Sequence, residues 1–209
     1  NIIAHTSIAL DPRNGEPHIS YFRNNNLRHA YYGGTPVGWH IDTVDNSGGV
    51  GNYSSIKIDS SGNPHISYYD ATNRILMYAK HDGNQWHNET ADDTGENNAG
   101  NVGTYSSLTL DSANKAHISY YSGSTSNLLY VKETEGGGGW GRQTPDATGS
   151  DNARQIGKYT SIVLDSGDKP RISYYDENNK NLMFAYKDAA QGGGVIWRKQ
   201  TIDQNGIVG

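Results

Sequence analysis

The sequence predicts an all-β protein, a β-propeller of four four-stranded antiparallel blades of about 50 residues each. Three observations carry that expectation. One composite segment occurs four times, and apolar residues inside each copy alternate with period two. Gly or Asn interrupts every stretch that begins to look like a helical stripe.

The repeat is read directly. Each copy opens with TSIALD (6–11), SSIKID (54–59), SSLTLD (106–111) or TSIVLD (160–165). After a short turn come PHISYF, PHISYY, AHISYY and PRISYY, starting at residues 17, 64, 116 and 170, and each copy then carries one tryptophan, Trp39, Trp86, Trp140 or Trp197. A Val-Gly or Ile-Gly pair closes the unit at 50–51, 102–103, 156–157 and 208–209. The shared aspartate stands at 11, 59, 111 and 165, so successive periods are 48, 52 and 54 residues.

Taking the second unit as the example, Ile56 and Ile58 alternate with Ser55 and Lys57, which reads as a first strand over 54–59. Ile66 and Tyr68 alternate with His65 and Ser67 in a second strand over 65–69. A third is expected over 75–80 and a fourth, starting at the tryptophan, over 86–91. DSSGNP between the first two is a tight hairpin turn, Gly62 supplying a positive φ and Asp59 capping; HDGNQ carries the Asp-Gly signal of a second hairpin. The expected domain is a single propeller over 1–209, with blades at about 1–52, 53–104, 105–158 and 159–209.

The run [ST]S[IL]xLD…HISYYD resembles the repeats of secreted bacterial propellers of unassigned function and is similar in layout to the NHL-type blade. The resemblance covers essentially the whole chain and implies that the first strand of each unit lines a central channel while the tryptophan strand lies outermost. Both ends of the chain fall between a fourth and a first strand, so no strand is left to complete a mixed terminal blade. The first expectation is a single closed four-bladed ring; the alternatives are half of an eight-bladed ring formed by two chains, or part of a longer array.

Composition narrows the function classes. The 209 residues include 26 Gly, 15 Tyr and 4 Trp with only 33% hydrophobic residues, which fits a folded, turn-rich chain better than a disordered one. No cysteine is present, which removes disulfides, thiol nucleophiles and cysteine-ligated zinc. A net charge of −5 argues against nucleic acid as partner, and no apolar run reaches the roughly 20 residues of a membrane span. The chain starts at Asn1, with no secretory leader, as expected of a processed or excised segment.

Shared residues read as architecture. Asp11, Asp59, Asp111 and Asp165 suit turn caps; calcium is only weakly supported there, because the turns lack the alternating carboxylates of a dedicated loop. No cofactor or other metal is expected. His18, His65 and His117, replaced by Arg171 in the fourth unit, open second strands of different blades and are expected to be surface-facing hydrogen-bonding groups. The first member of each tyrosine pair is expected in the core, and each tryptophan against a neighbouring blade, with a sugar-stacking platform as the alternative for Trp39, Trp86, Trp140 and Trp197.

Candidate ligand contacts lie where the copies diverge or ring the channel mouth. His5, Tyr53, Tyr105 and Tyr159 begin the first strands; Arg23, Asp70, Asn73, Arg74, Asp176 and Asn178 belong to or flank the loops between second and third strands. That face is rich in Asn, Asp, Ser, Tyr and Gly, which suits hydrogen bonding to polyols or an adaptable protein contact. The function expected is a non-enzymatic recognition or scaffold module in an extracellular or cell-surface setting. Its partner would be a glycan or an extracellular protein, with homo-oligomerisation as the way to complete a larger ring. The alternatives are a glycan lyase or hydrolase with an acidic site at the channel mouth, without catalytic residues that can be named, and an architectural unit of a ring or fibre.

Overall fold

The computed structural model describes residues 3–94, 101–136, 139–147, 155–189 and 195–203. The links 95–100 and 148–154 and the closing pair 208–209 lie outside the described residues. Among the described residues, sixteen strands form four antiparallel meanders, each in sequence order. Blade 1 is β1 (Ile3–Leu10), β2 (Pro17–Arg23), β3 (Asn26–Gly33) and β4 (Gly38–Asp45). Blade 2 is β5 (Val50–Ile58), β6 (Pro64–Asp70), β7 (Ile75–His81) and β8 (Trp86–Asp92). Blade 3 is β9 (Val102–Leu110), β10 (Ala116–Ser122), β11 (Asn127–Glu133) and β12 (Trp140–Asp146). Blade 4 is β13 (Ile156–Leu164), β14 (Pro170–Asp176), β15 (Asn181–Ala189) and β16 (Val195–Asp203).

Three of the four strands in the second unit match expectation within two residues. The first, β5, starts four residues early because it contains a bulge: its pairing with β6 slips between Asn52 and Ser55, and Tyr53 takes φ 54°. The bulge breaks the alternation on which the sequence reading relied. His5, Tyr105 and Tyr159 repeat it at φ 52°, 56° and 54°.

The hairpin turns form as their residues dictate. Asp59 Oδ1 accepts from the Ser61 and Asn63 amides at 2.9 and 2.8 Å, and Gly62 has φ 84°. Asp111 and Asp165 cap their turns in the same way, with Asn114 and Asp168 at the left-handed position.

The core is three separate layers, each between consecutive blades. Leu27 and Val44 of blade 1 meet Val50, Ile56 and Tyr68 of blade 2. Leu76 and Ala91 of blade 2 meet Val102, Leu108 and Tyr120 of blade 3, and Leu128 and Tyr130 meet Ile156, Ile162 and Tyr174 of blade 4. The first strands pack on one another as the innermost layer, β1 on β5, β5 on β9 and β9 on β13.

Each layer also holds a buried tyrosine hydroxyl donating backwards to the preceding blade: Tyr68 to Asp45 at 2.7 Å, Tyr120 to Asp92 and Tyr174 to Asp146 at 2.7 Å. Burial raises these phenols well above their ordinary range, so they act as donors throughout the physiological pH range. Tyr120→Phe is expected to cost about 2 kcal/mol in urea denaturation, because the Asp92 carboxylate stays buried without that donor. A loss below about 0.5 kcal/mol would show the bond to be dispensable.

The blades form a run that does not close on itself among the described residues. Ile56, Leu108 and Ile162 are buried by the preceding blade, whereas their counterpart Ile8 in blade 1 is 64% exposed. At the other end Leu182 is 39% exposed, although Leu27, Leu76 and Leu128 are fully covered by the blade that follows. Closure within one chain, the first expectation, is therefore not what positions the site.

Candidate functional site

The two faces of the run carry different features. On the face where β1, β5, β9 and β13 begin, the left-handed bulge turns His5, Tyr53, Tyr105 and Tyr159 into one continuous arc. Successive ring centroids are 4.5, 4.8 and 4.6 Å apart. With Thr6, Ser54, Ser106 and Thr160 they line a shallow depression of about 210 Å³. The Ser54, Ser106 and Thr160 hydroxyls donate to the carbonyls of His5, Tyr53 and Tyr105 at 2.8, 2.8 and 3.1 Å, so they hold the arc rather than face a ligand. Burial and the adjoining Tyr53 and Tyr159 push the Tyr105 phenol up, and burial lowers His5. None of its lining residues is an acid.

The loop residues proposed from the sequence are not gathered around that depression. Asp70 and Asp176 are buried turn caps: Asp70 accepts from the Thr72 and Asn73 amides and from Asn73 Nδ2, and Asp176 from the Asn178 and Asn179 amides and Asn179 Nδ2. Arg74 is exposed in a left-handed conformation, and its carbonyl accepts from Val102 N at 3.1 Å. Asn178 is exposed and accepts the Gln155 amide, while Arg23 is half-buried at the end of β2. Asp70, Asn73 and Asp176 set turns and the Arg74 carbonyl joins blade 2 to blade 3, roles that the sequence could not separate from ligand contact.

The histidines depart from expectation in a more informative way. They are buried, not surface-facing. His65 sits between the Tyr78 hydroxyl on Nδ1 and Asp59 on Nε2 at 3.4 Å, and His117 between Tyr130 at 2.7 Å and Asp111 at 3.3 Å. Arg171 replaces this pair with its own bond to Asp165 at 2.6 Å.

Blade 1 breaks the pattern. Where Tyr78 and Tyr130 stand, it has His29, a smaller ring. His18 Nδ1 lies 2.9 Å from His29 Nε2, and His29 Nδ1 lies 3.4 Å from Asp42 Oδ2. This pattern is satisfied when His29 is protonated on Nδ1 toward Asp42 and accepts from His18. Burial is the main cause that lowers His18 to about 4; the hydrogen bond from His29 lowers Asp42. An aromatic stack continues across the blade, Tyr31 over His18 and His29 at 5.8 and 5.4 Å and His40 over Tyr31 at 5.1 Å.

A groove of about 970 Å³ lies between blades 1 and 2, on the face of the hairpin turns, with His29 in its lining. Its floor is the His18, His29 and Tyr31 stack. Trp86 forms a wall, edge-on to His29 at 5.3 Å, with His81 edge-on behind it at 5.2 Å. Asp42, Asn63, Asn84 and the Arg13–Asp11 pair, 2.7 Å apart, supply polar groups around the rim.

Trp86 also carries an unusual donor. Trp140 and Trp197 donate Nε1–H to Glu89 and Gln143 of the preceding blade at 3.2 and 2.8 Å. The position equivalent to that acceptor for Trp86 is Asp42, which turns to His29 instead. Trp86 Nε1 is buried and has no hydrogen-bond partner among the described residues. Sequence reasoning missed this site. The signal was the single histidine in a tyrosine register, visible only once the register was known.

The four meanders, stacked through their first strands, define the class of the protein as a β-propeller. Known structures agree with that class. The chain is similar to an α-L-arabinofuranosidase from Clostridium thermocellum (11% identity, TM-score 0.55, 97% of this chain and 73% of that one). It is also similar to a β-1,3-galactosidase (7%, TM-score 0.54, 94% and 75%) and to a periplasmic gluconolactonase from Pseudomonas aeruginosa (14%, TM-score 0.54, 94% and 52%). At such identities the likeness concerns the fold. No family model and no curated protein matches the sequence.

Proposed function

We propose that the chain is a carbohydrate-recognition module that holds its ligand in the groove between blades 1 and 2. The observation that carries this reading is the buried, unpartnered Trp86 Nε1–H in a groove whose floor is aromatic and whose rim is Asn, Asp, Arg and His. Apolar faces beside donors and acceptors match a sugar ring, which presents C–H faces and hydroxyl edges. Three of the neighbouring structures are of proteins named for sugar chemistry, and the repeat resembles secreted bacterial propellers; both favour a glycan partner in a secreted or surface-displayed setting.

The test is a glycan array, with product analysis of every hit and calorimetry on variants. Trp86→Phe keeps a ring against His29 and deletes the N–H; it is expected to weaken binding about tenfold or more, as is Asp42→Asn. Unchanged affinity in both would end the groove reading, and turnover of the bound glycan would replace it with hydrolysis.

The second reading places the ligand on the opposite face, where Tyr159 is 66% exposed at the end of the aromatic arc. Alanine at Tyr53, Tyr105 and Tyr159 separates the two: the groove reading expects binding to survive these changes.

A further inference from the structure

We propose that His18 is the hydrogen-bond acceptor that selects what enters the groove. The glycan it selects is neutral and donates a free hydroxyl to His18 Nε2. This rests on the groove reading above and adds to it a specificity-determining residue and a sugar class.

Three histidines open second strands in one register, and one of them is held the other way round. In blade 2, Asp59 faces His65 Nε2 at 3.4 Å and the Tyr78 hydroxyl faces Nδ1. In blade 3, Asp111 faces His117 Nε2 at 3.3 Å and the Tyr130 hydroxyl faces Nδ1 at 2.7 Å. A carboxylate only accepts, so each ring carries its proton on Nε2 and receives the phenol proton on Nδ1. Neither ring has a nitrogen to spare.

Blade 1 changes every partner. His29 stands in the register of Tyr78 and gives its Nδ1–H to Asp42 at 3.4 Å, which leaves its Nε2 as a lone pair. The 2.9 Å contact between that nitrogen and His18 Nδ1 therefore takes its proton from His18. Arg13 meanwhile holds Asp11, through Nη2 at 2.7 Å and Nε at 3.0 Å, and Asp11 makes no hydrogen bond to His18. Tyr31 occupies the register of Lys80 and Lys132, so a stacked ring replaces a cation beside the imidazole. His18 is left with a bare Nε2 that has no hydrogen-bond partner among the described residues, on a ring that lines the groove.

The groove thus offers one unpartnered donor, Trp86 Nε1–H, and two unpartnered acceptors, His18 Nε2 and Asp42 Oδ1. Sugar hydroxyls both donate and accept, so neighbouring hydroxyls on one ring can satisfy all three. A carboxylate or sulfate ester has lone pairs only and would set acceptor against acceptor at His18 and Asp42. Charge acts in the same direction. Asp11, Glu16 and Asp42 line the groove against a single arginine, Arg13, which Asp11 already engages.

Long-range proton–nitrogen correlation spectra at about pH 8, where free imidazole is neutral, read which ring nitrogen carries each proton. His18 is expected to be protonated on Nδ1, and His65 and His117 on Nε2. A proton on His18 Nε2 would overturn the proposal. An array of neutral, uronate-bearing and sulfated oligosaccharides should give its strongest hits among the neutral members, and preference for the anionic ones would also overturn it. Adding a neutral hit should move the His18 Nε2 resonance; no movement at saturation refutes the contact. Methylating the hydroxyls of that hit one at a time should find one whose loss weakens binding about tenfold in the wild type. The same loss should nearly vanish in His18→Arg, which places a donor-only side chain where Arg171 stands in blade 4. Equal losses at every hydroxyl in both proteins would remove His18 from recognition. The protonation pattern is read without a glycan, so its failure is told apart from failure of the groove itself, which Trp86→Phe and Asp42→Asn report.

Discussion

Gly103→Ala is expected to lower the unfolding free energy by about 4 kcal/mol, enough to unfold much of a typical domain at 37 °C. Two effects add at this position. Its φ of 110° is a conformation that L-residues avoid, and the new Cβ would lie 2.8 Å from the Leu76 Cα, a backbone atom that cannot swing aside. Gly15→Ala isolates the first effect, since Gly15 has φ 77° and open space around its Cβ position; there the cost should be about 1–2 kcal/mol. Urea midpoints on both variants decide the matter. Equal losses would mean that backbone conformation alone, and not the approach of blade 3 to blade 2, fixes this glycine.

Acid is expected to destabilise the fold between pH 6.5 and 4, beginning before the carboxylates titrate. Burial is the main cause: it lowers His18 and His65 to about 4 and His117 in the same direction, with Lys80 adding to the effect on His65 and Asp59 opposing it. Unfolded histidine binds its proton near pH 6.5. Across the interval the unfolded chain therefore holds more protons than the folded one, so stability is complete above pH 6.5 and declines as pH falls toward 4. For His65, which is fully buried, the displacement corresponds to about 3 kcal/mol. His65→Gln retains a polar group between Tyr78 and Asp59 without a titrating ring, and should flatten the pH dependence of the urea midpoint over this range. A wild-type midpoint that is constant from pH 7 to 4.5 would contradict the buried, neutral state of these rings.

Much of the fold was legible because the chain states it four times. A strand read once from alternation is ambiguous; Ile-x-Ile-Asp before a Gly turn, followed by His-Ile-Ser-Tyr, is not ambiguous when it recurs at near-constant spacing. The illegible part of the strands was the bulge at Tyr53 and its equivalents, since a left-handed residue leaves no periodic trace. Legibility of the site was poorer. The aromatic arc was found by register alone, but Asp70 and Asp176 looked like ligand groups because an acid that caps a turn and an acid that faces a ligand have the same letter. His29 went unremarked because its importance lies in not being tyrosine.

The sequence by itself determined the strands, their meander order and the caps of the hairpin turns at Asp11, Asp59, Asp111 and Asp165, because these depend on contacts within some 20 residues. Which rings close over which histidines, where a groove is left and which faces stay bare depend on contacts between residues roughly 50 positions apart. Only the tertiary structure decided those. The physical reason is that a blade is not buried by itself: Ile8 and Ile56 belong to the same motif, yet one is 64% exposed and the other 1%, according to whether a blade precedes it. Local sequence sets what each blade offers, and neighbours set what becomes of it.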